Sequence, residues 1–358
     1  MSRYFSQKYK TLVPYVPGEQ PKERRYIKLN TNESPFPPSA AAIAAAREAA
    51  EHLELYSDPT ASRLHKAIAA TIGCAEDQVL ATNGSDEILN FAFMAFCDET
   101  RPAVFCDITY GFYKVFAEIN RVPYETVPLK EDLSVDVEAF CNRRATVFLA
   151  NPNAPTGVYL PLDEVERIVK STDGVVVVDE AYIDFGSQSA LSLLERYDNL
   201  LITRTFSKSR SMAGARLGFG IASPALIADL NAMKYATNPY NVNAMTMAAG
   251  IGCLSDEAYT QSNCRAIIKN RESLCASLRA LDFIMTDSRA NFIFVRHPAF
   301  AGDVLYRALR DKGILVRHFN TERIADYLRI TVGSKSECTA LVQALSEIIK
   351  TVQKGSFV

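Results

Sequence analysis

The sequence predicts an α/β protein, with a large domain on a mostly parallel sheet flanked by helices and a smaller α+β domain beside it. Three observations carry this. The chain has 358 residues, more than one hydrophobic core usually serves. From "AAAIAAAREAAEHLEL" onward, strand-like and helix-like segments alternate, the pattern of parallel βαβ units under right-handed crossovers. The strand-like runs are continuously apolar, as strands buried on both faces must be.

Residues 1–38 are polar and proline-rich without periodicity, an arm that must lie on something to be ordered. "SRLHKAIAATIG" is a helix stopped by Gly73. Then follow the strand "QVLAT", the helix "SDEILNFAFMAFC", the strand "PAVFCDI", the helix "YGFYKVFAEI", the strand "TVFLAN" and the helix "LDEVERIVKS". "GVVVVD" is a strand, "LSLLERY" a helix and "LLITRTF" a strand. After about residue 245 the pattern changes: one long helical stretch leads into strands around "NFIFVRH", "ILVRHF" and "YLRITVG". Cys253, Cys264 and Cys275 recur every eleven residues, a return to one helical face that reads as a core stripe. The large domain is placed at 45–245, and the small domain combines 246–358 with the arm 1–44.

Composition excludes several classes. A net charge of −2 gives no reason to expect nucleic acid. No run reaches the roughly 18 apolar residues of a membrane helix, and "MSRYFSQKYK" lacks a signal peptide's apolar core. The eight cysteines form no Cys-x-x-Cys pair and the four histidines show no i, i+4 spacing, so no metal site is expected. These features predict a cytoplasmic protein with reduced thiols.

In open parallel sheets, ligands sit at the carboxyl ends of strands. In "TNGSDE", Gly84, Ser85 and Asp86 open a helix and offer amides and a positive helix end to an anion, although an ordinary N-cap would look the same. Tyr110 follows the next strand, where its face can cover a flat ring or simply pack. "ANPNAPTG" is a turn dense in asparagine and proline. Asp179 ends a run of four valines, a costly place for a carboxylate without a cation or strong donor, and Tyr182 reaches the same space. "TRTFSKSRSMAGAR" gathers Thr205, Ser207, Lys208 and Arg216, where hydroxyls and a guanidinium suit a phosphate and the lysine is either a further contact or a nucleophile. In combination these clusters describe a site for a flat, phosphorylated, protonatable aromatic aldehyde: pyridoxal 5′-phosphate, with Lys208 condensing with the aldehyde and Asp179 keeping the ring nitrogen protonated.

The chain resembles the fold-type I pyridoxal-phosphate aminotransferases, and within them the histidinol-phosphate aminotransferase subfamily. Ten segments carry the resemblance in order: "LNTNESPFPPS", "LYSDPTASRLHKAIA", "TNGSDE", "ITYGFY", "NPNAPTG", "VVVDEAYIDF", "TFSKSRSMAGARLGF", "SRANFIFVR", "GILVRHF" and "YLRITVGS". It implies that Lys208 bears the cofactor, Asp179 pairs with the pyridine nitrogen, Tyr182 bonds the phenolic oxygen and Tyr110 stacks on the ring. Gly84, Ser85, Asp86, Thr205, Ser207 and Arg216 hold the phosphate, and Tyr56 reaches that of the neighbouring subunit in a homodimer. Arg329 grips a substrate carboxylate, and Arg317 contacts the phosphate of an amino donor such as L-histidinol phosphate. The acceptor is a 2-oxo acid. One position departs: Ala154 stands where the family has an asparagine on the phenolic oxygen, leaving Asn153, Asn151 or Tyr182 alone for that role.

Rival readings are a phenylalanine or tyrosine transaminase and a threonine-phosphate decarboxylase, since related subfamilies carry a similar "GILVR". A non-catalytic protein that kept the fold is opposed by the intact Lys208, Asp179 and Arg216. A nucleotide enzyme would need a Gly-x-Gly-x-x-Gly turn or Walker loop, and neither is present.

Overall fold

The computed structural model describes residues 2–353; Met1 and residues 354–358, the outer ends of the expected arm and C-terminal unit, lie outside it. Among the described residues, seven strands form the large sheet: β1 (Val79–Thr82), β2 (Ala103–Cys106), β3 (Tyr124–Val127), β4 (Thr146–Ala150), β5 (Val176–Asp179), β6 (Leu200–Thr205) and β7 (Gly218–Ala222). Their order is β1-β7-β6-β5-β4-β2-β3. All run parallel except β7, which pairs antiparallel with both β1 and β6. The expected α/β fold with a mostly parallel sheet is the fold observed.

Alternate residues of the central strands enter different cores, which is why their sequences read as unbroken apolar runs. Val147, Leu149, Val176, Val178, Leu200 and Ile202 pack on one face with the helix Leu162–Ser171. Phe148, Val177 and Leu201 pack on the other, with the helices Ser85–Phe96, Phe112–Asn120 and Pro224–Thr237. The strand β3 escaped the sequence reading because it is an edge: Tyr124, Glu125 and Thr126 are exposed, so it has no apolar run. The helix expected over 191–197 is only the 3-10 turn Ala190–Leu193. Gly73 ends its helix as expected, left-handed at φ 84° with its N–H on the carbonyl of Ala69.

The C-terminal part carries a four-stranded antiparallel sheet: β8 (Ile284–Met285), β9 (Phe292–Arg296), β10 (Arg317–His318) and β11 (Leu328–Thr331), in the order β10-β11-β9-β8. The long helical stretch is two helices, Ala244–Leu254 and Glu257–Arg279. The break falls at Asp256, whose carboxylate caps the second helix by accepting from the Tyr259 N–H. Cys253 and Cys264 therefore belong to different helices and different cores. Among the described residues the eight cysteines are all free.

The arm does lie on something. Ile27–Lys28 pairs in parallel with Ile314–Leu315, and Arg24 donates to the carbonyls of Arg310 and Asp311. Leu29 is buried in the same core as β9 and β11. Among the described residues, no helix is long and apolar enough to cross a membrane.

Candidate active site

Five strand ends meet at one edge of the large sheet, and each delivers a polar group into a cavity of about 230 Å³. Beyond β1 the chain turns at Gly84, φ 80°, into the helix starting at Ser85. Two glycines make the turn possible. A Cβ on Gly84 would sit 2.6 Å from Nη2 of Arg216, and one on Gly218 would sit 2.3 Å from the Ser85 nitrogen. Arg216 thus lies across the helix start, with Nη2 donating to Asp86 at 2.9 Å and Nη1 to Ser207 at 3.5 Å. The helix end, the hydroxyls of Ser85, Thr205 and Ser207 and the guanidinium form one cationic cradle. Asp86 also accepts from the Tyr110 hydroxyl at 2.6 Å, which fixes that ring along the cavity wall.

Asp179 ends β5 and is 5% exposed. Its Oδ1 accepts from the Ala181 N–H at 3.2 Å and the Thr203 hydroxyl at 3.3 Å, and its Oδ2 accepts from the Tyr113 hydroxyl at 3.2 Å. Burial raises its pKa to about 6, and the nearby Asp86 adds to the rise while the three donors oppose it.

Lys208 projects from the turn between β6 and β7, its Nζ 3.3 Å from the carbonyl of Thr31. The turn is tied on three sides: Ser209 to Asp184, Arg210 to Glu257 and Ser211 to Ser34. Burial, then the charges of Arg329 and Arg216, push the amine from 10.5 to about 8, against the pull of Glu33 and Asp86. Such an amine is a free base far more often than an exposed lysine, as a nucleophile or proton carrier must be.

A second cavity, about 440 Å³, adjoins the first; both are lined by Thr31, Tyr110, Ala154, Tyr182 and Lys208. Its far side holds Arg317 and Arg329, register partners on β10 and β11. Arg329 donates to the Asn30 carbonyl at 3.1 Å, and its buried Nε makes no hydrogen bond among the described residues. Arg317 donates to the carbonyls of Val16 and Pro17, and Pro17 lies in this cavity's lining.

Most of the sequence-selected residues converge here; three side chains do not. Asn153 is outside the lining. Its amide donates to the Ile108 carbonyl and the Thr156 hydroxyl, and its oxygen accepts from Thr109, so the side chain is committed to holding the turn. Asn151 is likewise spent, on both backbone groups of Leu160. The expectation of a cofactor contact from Asn153 is therefore corrected: Ala154 lines the cavity instead. Tyr56 is 85% exposed and stacks on Tyr240, apart from both cavities. Sequence reasoning missed Thr31 and Glu33 in the lining, Asn32, which donates to the Tyr182 hydroxyl at 3.0 Å, and Tyr113 and Thr203 on Asp179. "LNTNESP" offered a signal, a polar run ahead of proline, but no periodicity to place it.

The chemistry of this donor set fits a phosphorylated pyridine aldehyde: a cationic cradle, a buried carboxylate and a buried amine surround one cavity. Residues 24–345 match the family Aminotransferase class I and II. The chain belongs to that family and is a pyridoxal-phosphate-dependent aminotransferase of fold type I. Within it, the chain is 47% identical over 354 residues to histidinol-phosphate aminotransferase 2 of Dechloromonas aromatica, covering 97% of this chain and 99% of that one. It is 42% identical to the histidinol-phosphate aminotransferase of Clostridium acetobutylicum, over 98% of this chain and 100% of that one. The crystal structure of histidinol-phosphate aminotransferase from Sinorhizobium meliloti in complex with pyridoxal-5′-phosphate superposes with a TM-score of 0.88. Its sequence is 25% identical, and the match covers 98% of this chain and 99% of that one.

Proposed function

We propose that this enzyme transfers the amino group of L-histidinol phosphate to a 2-oxo acid, 2-oxoglutarate being the acceptor, as a cytoplasmic homodimer in histidine biosynthesis. The pairing of Arg317 with Arg329 beside the amine carries the reading. Histidinol phosphate bears a phosphate on the arm where an amino acid bears its carboxylate. A dianion there uses two guanidinium groups, whereas the α-carboxylate of glutamate is satisfied by the bidentate fork of Arg329 alone.

Pyridoxal 5′-phosphate, when bound, supplies the electron sink for the charge left when the substrate's Cα–H bond breaks. The protein's own residues do the rest. The N–H groups of the helix end, with Ser85, Thr205, Ser207 and Arg216, anchor the phosphate. Asp179 would keep the ring nitrogen protonated and Tyr110 would cover the ring, both lining the same cavity. Tyr182, oriented by Asn32, serves the phenolic oxygen without Asn153. With the cofactor and substrate in place, the Lys208 amine would serve as the base for the substrate's Cα proton and as the acid that returns it. The same residues run the sequence backward on the 2-oxo acid, so the kinetics are ping-pong. Tyr56 serves the phosphate of the second subunit; its exposure beside exposed Leu53 and Leu55 supports a partner surface there.

Steady-state kcat/KM on histidinol phosphate, phenylalanine, tyrosine and phosphothreonine tests the reading. Histidinol phosphate is expected to lead, and an equal or better rate on phenylalanine would overturn it.

A further inference from the structure

We propose that Tyr113 is a positioning residue for the cofactor: its phenol pins Asp179 in the charged form, leaving the carboxylate's remaining edge to the ring nitrogen. The inference rests on the reading that Asp179 faces that nitrogen.

Tyr113 lies in the first turn of the helix Phe112–Asn120 and is completely buried. Its ring packs in an apolar core, edge-on to Phe105 at 5.7 Å, tilted on Phe148 at 5.7 Å and perpendicular to Tyr110 at 5.7 Å. A phenylalanine would satisfy every one of these contacts. The hydroxyl therefore needs its own explanation, because a polar group in such surroundings is costly unless bonded. Among the described residues, its one side-chain hydrogen bond is to Oδ2 of Asp179, 66 residues away in sequence.

An ionised carboxylate only accepts, so the phenol is the donor, and a donor to the charged form favours that form. Thr203 and the Ala181 N–H serve Oδ1, and Tyr113 is the donor on Oδ2. Burial and the Asp179 charge raise the Tyr113 hydroxyl well above 10, so it stays protonated and able to donate at any working pH. Tyr110 and Tyr113 sit three residues apart at the start of one helix, so a single turn sets both the ring cover and the carboxylate.

The test compares equilibrium binding of pyridoxal 5′-phosphate and of its 1-deaza analogue, which has C–H in place of the ring nitrogen, to the cofactor-free enzyme. Tyr113→Phe is expected to weaken the natural cofactor about tenfold, the loss of one hydrogen bond to a charged group, and to leave the analogue unchanged. A site-specific 3-fluorotyrosine at position 113, which keeps the hydroxyl, is expected to restore the preference and guards against a folding defect in the phenylalanine variant. Equal loss for both ligands, or none for either, would overturn the role of Tyr113. Asp179→Asn separates the two readings: if it loses the preference and Tyr113→Phe keeps it, only the Tyr113 proposal falls. If Asp179→Asn also keeps it, the placement of Asp179 at the ring nitrogen falls.

Discussion

Arg317 and Arg329 are register partners on adjacent antiparallel strands, and both line the cavity that ends at Lys208. Partners in such a ladder share one face of the sheet, so the two cations face the same cavity. Their mutual repulsion is tolerated because each is fastened to backbone carbonyls, of Val16 and Pro17 for one and of Asn30 for the other.

Removing one member should therefore discriminate between substrates. Arg317→Ala is expected to lower kcat/KM for histidinol phosphate about 10- to 100-fold, the loss of charge-assisted bonds, and to change glutamate and phenylalanine by much less. Arg329→Ala should damage all three. Side-by-side kinetics decide, and equal losses on every donor in Arg317→Ala would contradict the division of labour.

The depressed lysine sets a pH dependence. With Lys208 at about 8, the amine is protonated below that pH and free above it. Covalent loading of cofactor-free enzyme should therefore accelerate roughly tenfold per pH unit up to about pH 8 and then level off. The positive charge of Arg329 helps hold the value down, so Arg329→Met should move the break upward. Stopped-flow absorbance across the pH range reads both.

The glycine turn is a steric requirement. Gly84→Ala places a Cβ 2.6 Å from the Arg216 guanidinium at a backbone φ of 80°. Cofactor affinity should fall about tenfold or more as Arg216 is displaced, with about 1 kcal/mol or more lost in stability from the left-handed strain. Titration calorimetry and thermal melts measure the two effects separately.

The homodimer reading predicts complementation. Tyr56→Ala and Lys208→Ala protomers should each be impaired alone. Mixed and allowed to exchange, they should recover about one quarter of full activity, because half the dimers carry one complete site. No recovery despite demonstrated exchange would remove Tyr56 from the neighbouring site.

What was legible in the sequence was the set of groups that end strands. Asp179 after four valines, Ser85 opening a helix and Lys208 in its hydroxyl-rich turn each stand at a junction that apolar periodicity marks. Tyr113 was not legible, because a tyrosine on the apolar face of a helix reads as core and its hydroxyl's partner comes from another strand. Asn32 and Thr31 were hidden for a different reason. They reach the site because residues 27–28 of an aperiodic arm pair with residues 314–315 near the end of the chain, and because Thr331 and Asn291 bond Asn32. Asn153 was misread because Thr109 and Ile108, which consume its amide, arrive from the loop after β2.

The central claim is that the Lys208 amine holds the cofactor. Borohydride reduction of the holoenzyme, followed by proteolysis and mass spectrometry, tests it most directly. A pyridoxyl phosphate adduct on Lys208 and on no other lysine is the predicted result; an adduct on a different lysine, or none on Lys208 in fully loaded enzyme, would contradict it.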